Sequence, residues 1–339
     1  MPQPLVSAIV STYNSEKFIR GKILDLLQQT IVNKMEIIIV NSGSKQNEEE
    51  IIKDFLTLPN IHYIKTEKRE SVYAAWNRGI KKSQGMYITN ANTDDRLKKN
   101  ALEILSSTLM QNPEIALVYA DQYYSQIPNQ TFEEVILSKK PKLYSFPDYN
   151  YFHQLDRCLV CSQPMWRASL HFEDNIWFDE KYEICGDYDF NLKITQKYKM
   201  LHISNVLGVF YRSPKKENLS LKDSKRGTEE IREISAPYIN AYVNSEGNEE
   251  PGKYLENFMN YLRFPLPAFY LWKRFCLFLK PGLIKDKFFH SIEFMAFYCI
   301  IVLERGHRIK AAVKLGKRVL RYQESKRIQK ELETLTKKY

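Results

Sequence analysis

Apolar runs of strand length alternate with amphipathic segments as far as about residue 125. The runs are rich in β-branched residues and occupy residues 5–11, 35–44, 61–66, 86–95 and 116–121. Apolar residues between them recur at helical spacing, which predicts helices over residues 15–29, 47–56, 71–83 and 99–110. This alternation is typical of an α/β domain whose mostly parallel sheet carries helices on both faces.

Polar residues follow three of these runs, at the sheet edge where parallel strands end and ligands bind. The segment "NTDD" places the adjacent carboxylates Asp94 and Asp95 there. Adjacent carboxylates repel each other, and a divalent cation such as Mg²⁺ or Mn²⁺ offsets this repulsion while bridging to substrate phosphates. One interpretation is therefore a metal–diphosphate site. The other is a solvated acidic turn before the next helix.

Two further features carry charge near the middle of the chain. Asp187 and Asp189 open a predicted helix, where the helix dipole favours carboxylates. Asp187 is a candidate general base, but acids in a first helical turn often have no catalytic duty. Residues 211–220 form a polar loop in which Arg212 and Lys216 are candidates for binding a diphosphate. A solvated basic loop is the alternative.

Five ordered blocks combine these features. They occupy residues 6–19, 36–44, 74–95, 163–170 and 178–194. In order and spacing they resemble family 2 inverting glycosyltransferases with a GT-A fold, over about residues 4–220. The resemblance implies a nucleotide-sugar glycosyltransferase domain at residues 1–225. Such an enzyme moves a sugar from a nucleotide-diphosphate sugar, a UDP-sugar being favoured, to an acceptor hydroxyl in a single displacement with inversion.

The resemblance also implies roles for individual residues. Nucleotide-sugar contacts are implied for Thr12, Tyr13, Asn14, Glu16, Asn41, Asp94, Arg212 and Lys216. The resemblance implies metal binding by Asp94 and Asp95, with Mn²⁺ or Mg²⁺ as the ion. It implies that Asp187 is the general base. The sequence departs from the family at Asn41 and Asn92, where Asp is common, and at Gly186, where Glu is usual.

These departures keep a non-catalytic alternative open, namely a sugar-nucleotide-binding or scaffold subunit. A metal-dependent nucleotidyltransferase is a weaker alternative, because the loop after the first strand lacks the glycines expected there. The phosphate-cradling glycine motifs of P-loop and Rossmann proteins are also missing from the sequence.

The net charge of +10 is concentrated at the C-terminal end. Residues 304–339 contain twelve Lys or Arg and four Asp or Glu, so this segment carries +8 of the total. Residues 226–339 are predicted to form a helical, basic extension. Its amphipathic segments suit an anionic membrane surface, while packing against the catalytic domain or a second copy of the chain is an equal alternative. A membrane surface would favour a surface-glycan or lipid-linked acceptor; no nucleic-acid recognition motif accompanies the charge.

Composition narrows the protein class. The chain has 339 residues, 44% of them hydrophobic, which excludes a disordered or low-complexity protein. Five cysteines at irregular spacing argue against a disulfide scaffold and favour a reducing compartment. The sequence shows no signal peptide and no apolar run long enough to span a bilayer. We therefore expect a cytoplasmic protein, peripheral on the inner face of the membrane if the basic extension binds lipid.

Overall fold

The computed structural model describes residues 3–149, 151, 154, 158–215, 218 and 223–245. The strands are β1 (Val6–Thr12), β2 (Met35–Asn41), β3 (Ile61–Lys65), β4 (Tyr87–Asn90), β5 (Arg96–Leu97), β6 (Ile115–Ser125), β7 (Lys142–Tyr144), β8 (Met165–Arg167) and β9 (Lys199–Tyr211). The α-helices are α1 (Glu16–Leu27), α2 (Glu48–Ile52), α3 (Val72–Ile80), α4 (Ala101–Gln111), α5 (Phe132–Ile136), α6 (Ser169–Phe172), α7 (Gly186–Thr195) and α8 (Ser224–Ser245). This content confirms the predicted α/β class.

The first half of the sheet is parallel. Within the described residues the strand order is β3-β2-β1-β4-β8-β6-β9-β5, with β7 paired to β6. Val6 in β1 pairs in register with Met35 in β2 and with Tyr87 in β4. Every residue of β2 is buried, as expected for a central strand between two covered faces. Helix α3 packs against β1 and β2, and α4 packs against β6.

The second half of the sheet is mixed. Strand β8 runs antiparallel to β4 and to β6, although β6 and β9 are parallel to each other. The reversal follows from where the chain enters β8. The Ser162 and Pro164 carbonyls accept hydrogen bonds from Asn90 and Thr89 at the carboxyl end of β4. A strand that starts at this edge must run back across the sheet.

The first compact unit of the chain spans Met1–Gly247 and so extends beyond residue 225, where the sequence predicts the end of the catalytic domain. Helix α8 crosses that position. The predictions for the basic extension after residue 245 lie outside the described residues. Within the described part of the chain, no helix has the length and apolar character needed to cross a membrane.

Candidate active site

A cavity of about 710 Å³ opens at the carboxyl ends of the parallel strands. Its lining includes most of the residues proposed from sequence, which are Thr12, Tyr13, Asn14, Glu16, Asp94, Asp95 and Asp187. Asn41 and Arg212 are not among the lining residues. Lys216 lies outside the described residues. The structure thus brings Asp94, Asp95, Asp187 and the loop after β1 into one pocket, whereas Asp189 is buried outside it and pairs with Lys193.

The loop after β1 is held from behind by Glu48, a buried carboxylate at the start of α2. Glu48 accepts hydrogen bonds from the Ser15 N–H at 2.8 Å, from the Ser44 hydroxyl at 2.6 Å and from the Thr12 hydroxyl at 3.4 Å. Asn14 adopts a left-handed backbone conformation with φ of 51°. Glu48 therefore fixes both polar loops, and Thr12 takes part in this framework.

Asn41 has a structural position at the end of β2. It is 1% exposed. Its amide donates to the Tyr63 hydroxyl at 3.0 Å, and its side-chain oxygen accepts from the Ser44 N–H at 2.9 Å. Both polar groups thus have protein partners, and the structure does not bring Asn41 to the pocket as a base contact. Arg69 supplies positive charge at this end of the pocket. Its Cζ atom lies 4.6 Å from the centroid of the Tyr13 ring.

Asp94 and Asp95 differ in their surroundings although they are adjacent. One oxygen of Asp95 accepts from the Tyr211 N–H at 3.0 Å and the other from the Asn92 amide at 3.4 Å. Asp94 is less buried, and its Oδ2 accepts from the Asn218 amide at 3.1 Å. Asp94 is therefore the better placed of the two to bind a ligand, while Asp95 ties the turn to β9.

Burial raises the pKa of both carboxyl groups. The pKa of Asp95 rises to about 7, because it is buried and stands beside Asp94. Burial likewise raises the pKa of Asp94, against opposing effects of Lys22 and Arg96. Two adjacent acids that resist ionisation together fit a divalent cation, since its charge favours both carboxylates. Among the described residues, no cluster of three or more His, Cys, Asp or Glu could hold a metal. Substrate phosphates would have to complete the coordination.

The loop after β9 reaches the acid pair through an amide. Asn218 bridges Asp94 to the Tyr211 carbonyl at 2.8 Å, and its side-chain oxygen accepts from the Ser213 N–H at 2.7 Å. Arg212 has an exposed side chain. Its backbone N–H donates to the Ser125 carbonyl at 2.8 Å. The sequence predicts a role for this loop from its positive charge; among its described residues, Asn218 contacts Asp94.

Asp187 stands in the first turn of α7 on the other side of the pocket. Its carboxylate keeps exposed surface because it faces the cavity, yet the surrounding protein displaces most of the bulk water. This desolvation raises the pKa of Asp187 to about 6, despite the hydrogen bond that its carboxylate accepts from the Tyr188 N–H at 2.8 Å. An isolated carboxylate with such a pKa is ionised at neutral pH and can accept a proton.

The segment before α7 is held by Glu230 of α8, a residue that no sequence pattern singles out. This carboxylate is fully buried and accepts the N–H groups of Glu183, Ile184 and Cys185 at 2.8 to 2.9 Å. Arg226 lies 3.1 Å from the same carboxylate. Helix α8 therefore fixes the entry to the helix that bears Asp187. Only the folded structure reveals this contact, because buried and solvated glutamates look alike in a helical sequence.

The comparisons with known proteins agree with this geometry. Residues 7–171 match the model of the family described as Glycosyl transferase family 2. An uncharacterised glycosyltransferase of Methanocaldococcus jannaschii is 27% identical over 221 residues, which cover 64% of this chain and 74% of that protein. Chondroitin synthase of Escherichia coli is 25% identical over 220 residues. That match covers 65% of this chain but 30% of the synthase.

The crystal structure of S. aureus TarS 1–349 in complex with UDP-GlcNAc gives a TM-score of 0.57 at 14% sequence identity. The likeness covers 95% of this chain and 93% of the TarS chain. At this identity it shows the fold alone, and it confirms the GT-A-like α/β prediction. The family match includes the loop after β1 and the Asp94–Asp95 pair, whereas Asp187 lies beyond its end. The family match and the named relatives show that this chain is a glycosyltransferase that resembles glycosyl transferase family 2 over residues 7–171.

Proposed function

We propose that this glycosyltransferase moves a sugar from a UDP-sugar to a hydroxyl of a glycan or lipid-linked acceptor by a single inverting displacement. One observation carries the proposal: Asp94 and Asp187 line the same cavity of about 710 Å³ while belonging to different elements. A nucleotide sugar held by the first acid would present its sugar to the second. The UDP-GlcNAc bound to TarS supports the choice of nucleotide, and the chondroitin synthase relative supports a glycan acceptor.

The donor would bind along the carboxyl ends of β1 and β4. Tyr13, Asn14 and Arg69 line the pocket at this end, and Glu48 fixes the loop that presents the first two. A divalent cation held by Asp94, with Asp95 behind it, would supply positive charge to the donor diphosphate. The Asn218 contact keeps the Asp94 carboxylate oriented toward the cavity.

Asp187 would carry out the proton transfer. Its carboxylate accepts the proton of the acceptor hydroxyl, and the acceptor oxygen forms a bond to the anomeric carbon. The bond between that carbon and the donor diphosphate breaks, and its electron pair leaves with the nucleoside diphosphate. Attack opposite to the leaving group inverts the anomeric carbon, so one carboxylate is sufficient. A pKa of about 6 leaves Asp187 ionised before each turnover at neutral pH.

Two variants test the separate roles proposed for Asp94 in binding and for Asp187 in proton transfer. UDP release from UDP-GlcNAc with Mn²⁺ measures turnover, and thermal shift with UDP measures donor binding. We expect Asp187→Asn to lower turnover by about 10²- to 10⁴-fold and to leave the UDP-induced shift unchanged. Asp94→Asn should remove the Mn²⁺-dependent part of that shift. Exposed Glu173 lies outside the pocket, so Glu173→Gln is the matched control and should behave as the wild type.

The outcomes separate the proposal from its alternatives. Wild-type turnover by Asp187→Asn would remove the base assignment. A UDP-induced shift without turnover on any nucleotide sugar, with glycan acceptors supplied, would favour the sugar-nucleotide-binding subunit.

A further inference from the structure

We propose that Tyr73 is a positioning residue for Asp187, and that Gly186 is required because the Tyr73 ring occupies the space next to it. The inference rests on the proposed role of Asp187 as the base. It also accounts for the departure at Gly186, the position where the family usually has Glu. Here a side chain from α3 takes the space that a side chain at position 186 would fill.

The first observation is steric. A Cβ atom built on Gly186 would lie 2.7 Å from two carbons of the Tyr73 ring and 2.9 Å from a third. The ring has no room to withdraw, because Tyr73 is 2% exposed and packs against Trp76 at 5.4 Å and Phe178 at 6.0 Å between centroids. Even alanine at position 186 would therefore push apart the start of α7 and the α3 aromatic cluster.

The second observation is polar. The Tyr73 hydroxyl donates to the Ile184 carbonyl at 2.6 Å. Its oxygen faces the backbone N–H groups of Gly186 and Asp187. One hydroxyl thus ties α3 to the turn before α7 and to the backbone of the helical turn that bears Asp187. Asn77, one turn further along α3, donates to the Phe178 carbonyl at 2.9 Å, so α3 holds this region at two points.

The other groups that face Asp187 do not replace this hydroxyl. Glu230 acts in the opposite direction, because its negative charge raises the pKa of Asp187. Cys158 and Cys185 also face it, and burial raises the pKa of both thiols, that of Cys185 to about 12. The thiols therefore stay protonated at neutral pH and contribute no charge. Tyr73 acts on Asp187 through the backbone that its hydroxyl and ring hold in place.

The direct test measures the ionisation of Asp187 without substrate. Carbon-13 NMR of protein labelled at aspartate carboxyl carbons gives the titration of each aspartate, and loss of a signal in Asp187→Asn assigns the one of interest. We expect Tyr73→Phe to shift the pKa of Asp187, because the ring stays while the backbone around the start of α7 loses the hydroxyl that holds it. An unchanged Asp187 titration in a folded Tyr73→Phe protein would overturn the proposal. Tyr182→Phe, which removes a hydroxyl facing Glu233, is the control and should leave it unchanged.

A coupling experiment tests the steric part. Gly186→Glu alone should lose turnover, measured as UDP release from UDP-GlcNAc, because the introduced side chain and the Tyr73 ring compete for one space. Tyr73→Ser combined with Gly186→Glu should recover a substantial part of it. Equal loss in the single and double variants, with both folded by circular dichroism, would contradict the steric claim.

Failure of the base assignment would look different. In that case Asp187→Asn would keep its turnover, whatever the carboxyl titration of Tyr73→Phe shows. The NMR arm reports on the contact between Tyr73 and Asp187, and the turnover of Asp187→Asn reports on the role of Asp187. The two claims can therefore fail separately.

Discussion

The two acid regions of the pocket show how one residue type acquires two kinds of chemistry. Asp94 and Asp95 belong to a dense charged network that includes Lys22 and Arg96, and their own repulsion adds to the cost of burial. Asp187 stands at a helix start close to the neutral Tyr73 side chain, and Glu230, whose charge acts on it, accepts hydrogen bonds from backbone N–H groups. The first arrangement suits binding a cation, and the second suits exchanging a proton. The difference lies in the neighbours.

The largest expected effect concerns the buried charges behind the acid pair. The Lys22 ammonium is fully buried and contacts Asp25 at 3.2 Å and Gln163 at 3.1 Å. Lys22→Met should lower the free energy of unfolding by about 3 to 5 kcal/mol, because Asp25 loses its partner in the interior. Urea denaturation at pH 7 measures this.

The exposed pair of Lys53 and Glu50 provides the control for that measurement. Lys53→Met should leave the free energy of unfolding nearly unchanged, as is usual for solvated ion pairs. Equal losses in the two variants would show that the network behind Asp94 and Asp95 is not specially costly to break. The proposed contrast between the two acid regions would then fail.

The next effect is on pH dependence. The pKa of Asp187 is raised to about 6, so the active carboxylate is present above that pH and is lost as the pH falls through it. Turnover at saturating donor should fall about tenfold per pH unit well below pH 6. Rates measured between about pH 4.5 and 8, in buffers of constant ionic strength, give this limb. A flat profile would argue against proton transfer by Asp187.

The smallest expected effect comes from Glu230. Glu230→Gln removes a negative charge that faces Asp187, so the acidic limb of the rate profile should move to lower pH, by less than about one unit. An acidic limb that stays in place or moves to higher pH would mean that Glu230 acts on α7 through its backbone contacts and not through its charge.

Much of the donor side could be predicted from sequence, because local patterns determine it. The apolar runs of β1 and β2 are buried, and the polar segments after them form the pocket edge as expected for a parallel sheet. The ends of the strands are predicted less accurately than their positions. The sequence extends the fourth run to Asp95, but β4 ends at Asn90 and a turn follows. The turn exists because Asp95 bonds the backbone of Tyr211, a partner that is distant in sequence.

The region around β8 and Asp187 is less predictable from sequence, because it depends on contacts between distant elements. Strand β8 is three residues long, too short for a periodic pattern. The importance of Tyr73 is visible only once its ring is placed next to Gly186. Gly186 is itself a signal, since the family usually has Glu at that position. The sequence does not show that the Tyr73 ring fills the space next to it.

The backbone contacts of Glu230 have a practical consequence for protein production. A recombinant fragment that stops at residue 225 would retain every residue to which donor or proton chemistry is assigned above. It would nevertheless lack the carboxylate that pairs the N–H groups of residues 183 to 185. If such a fragment were soluble but inactive, the loss of activity would come from the missing Glu230 contacts and not from a missing site residue. Truncation series should keep helix α8 through Ser245.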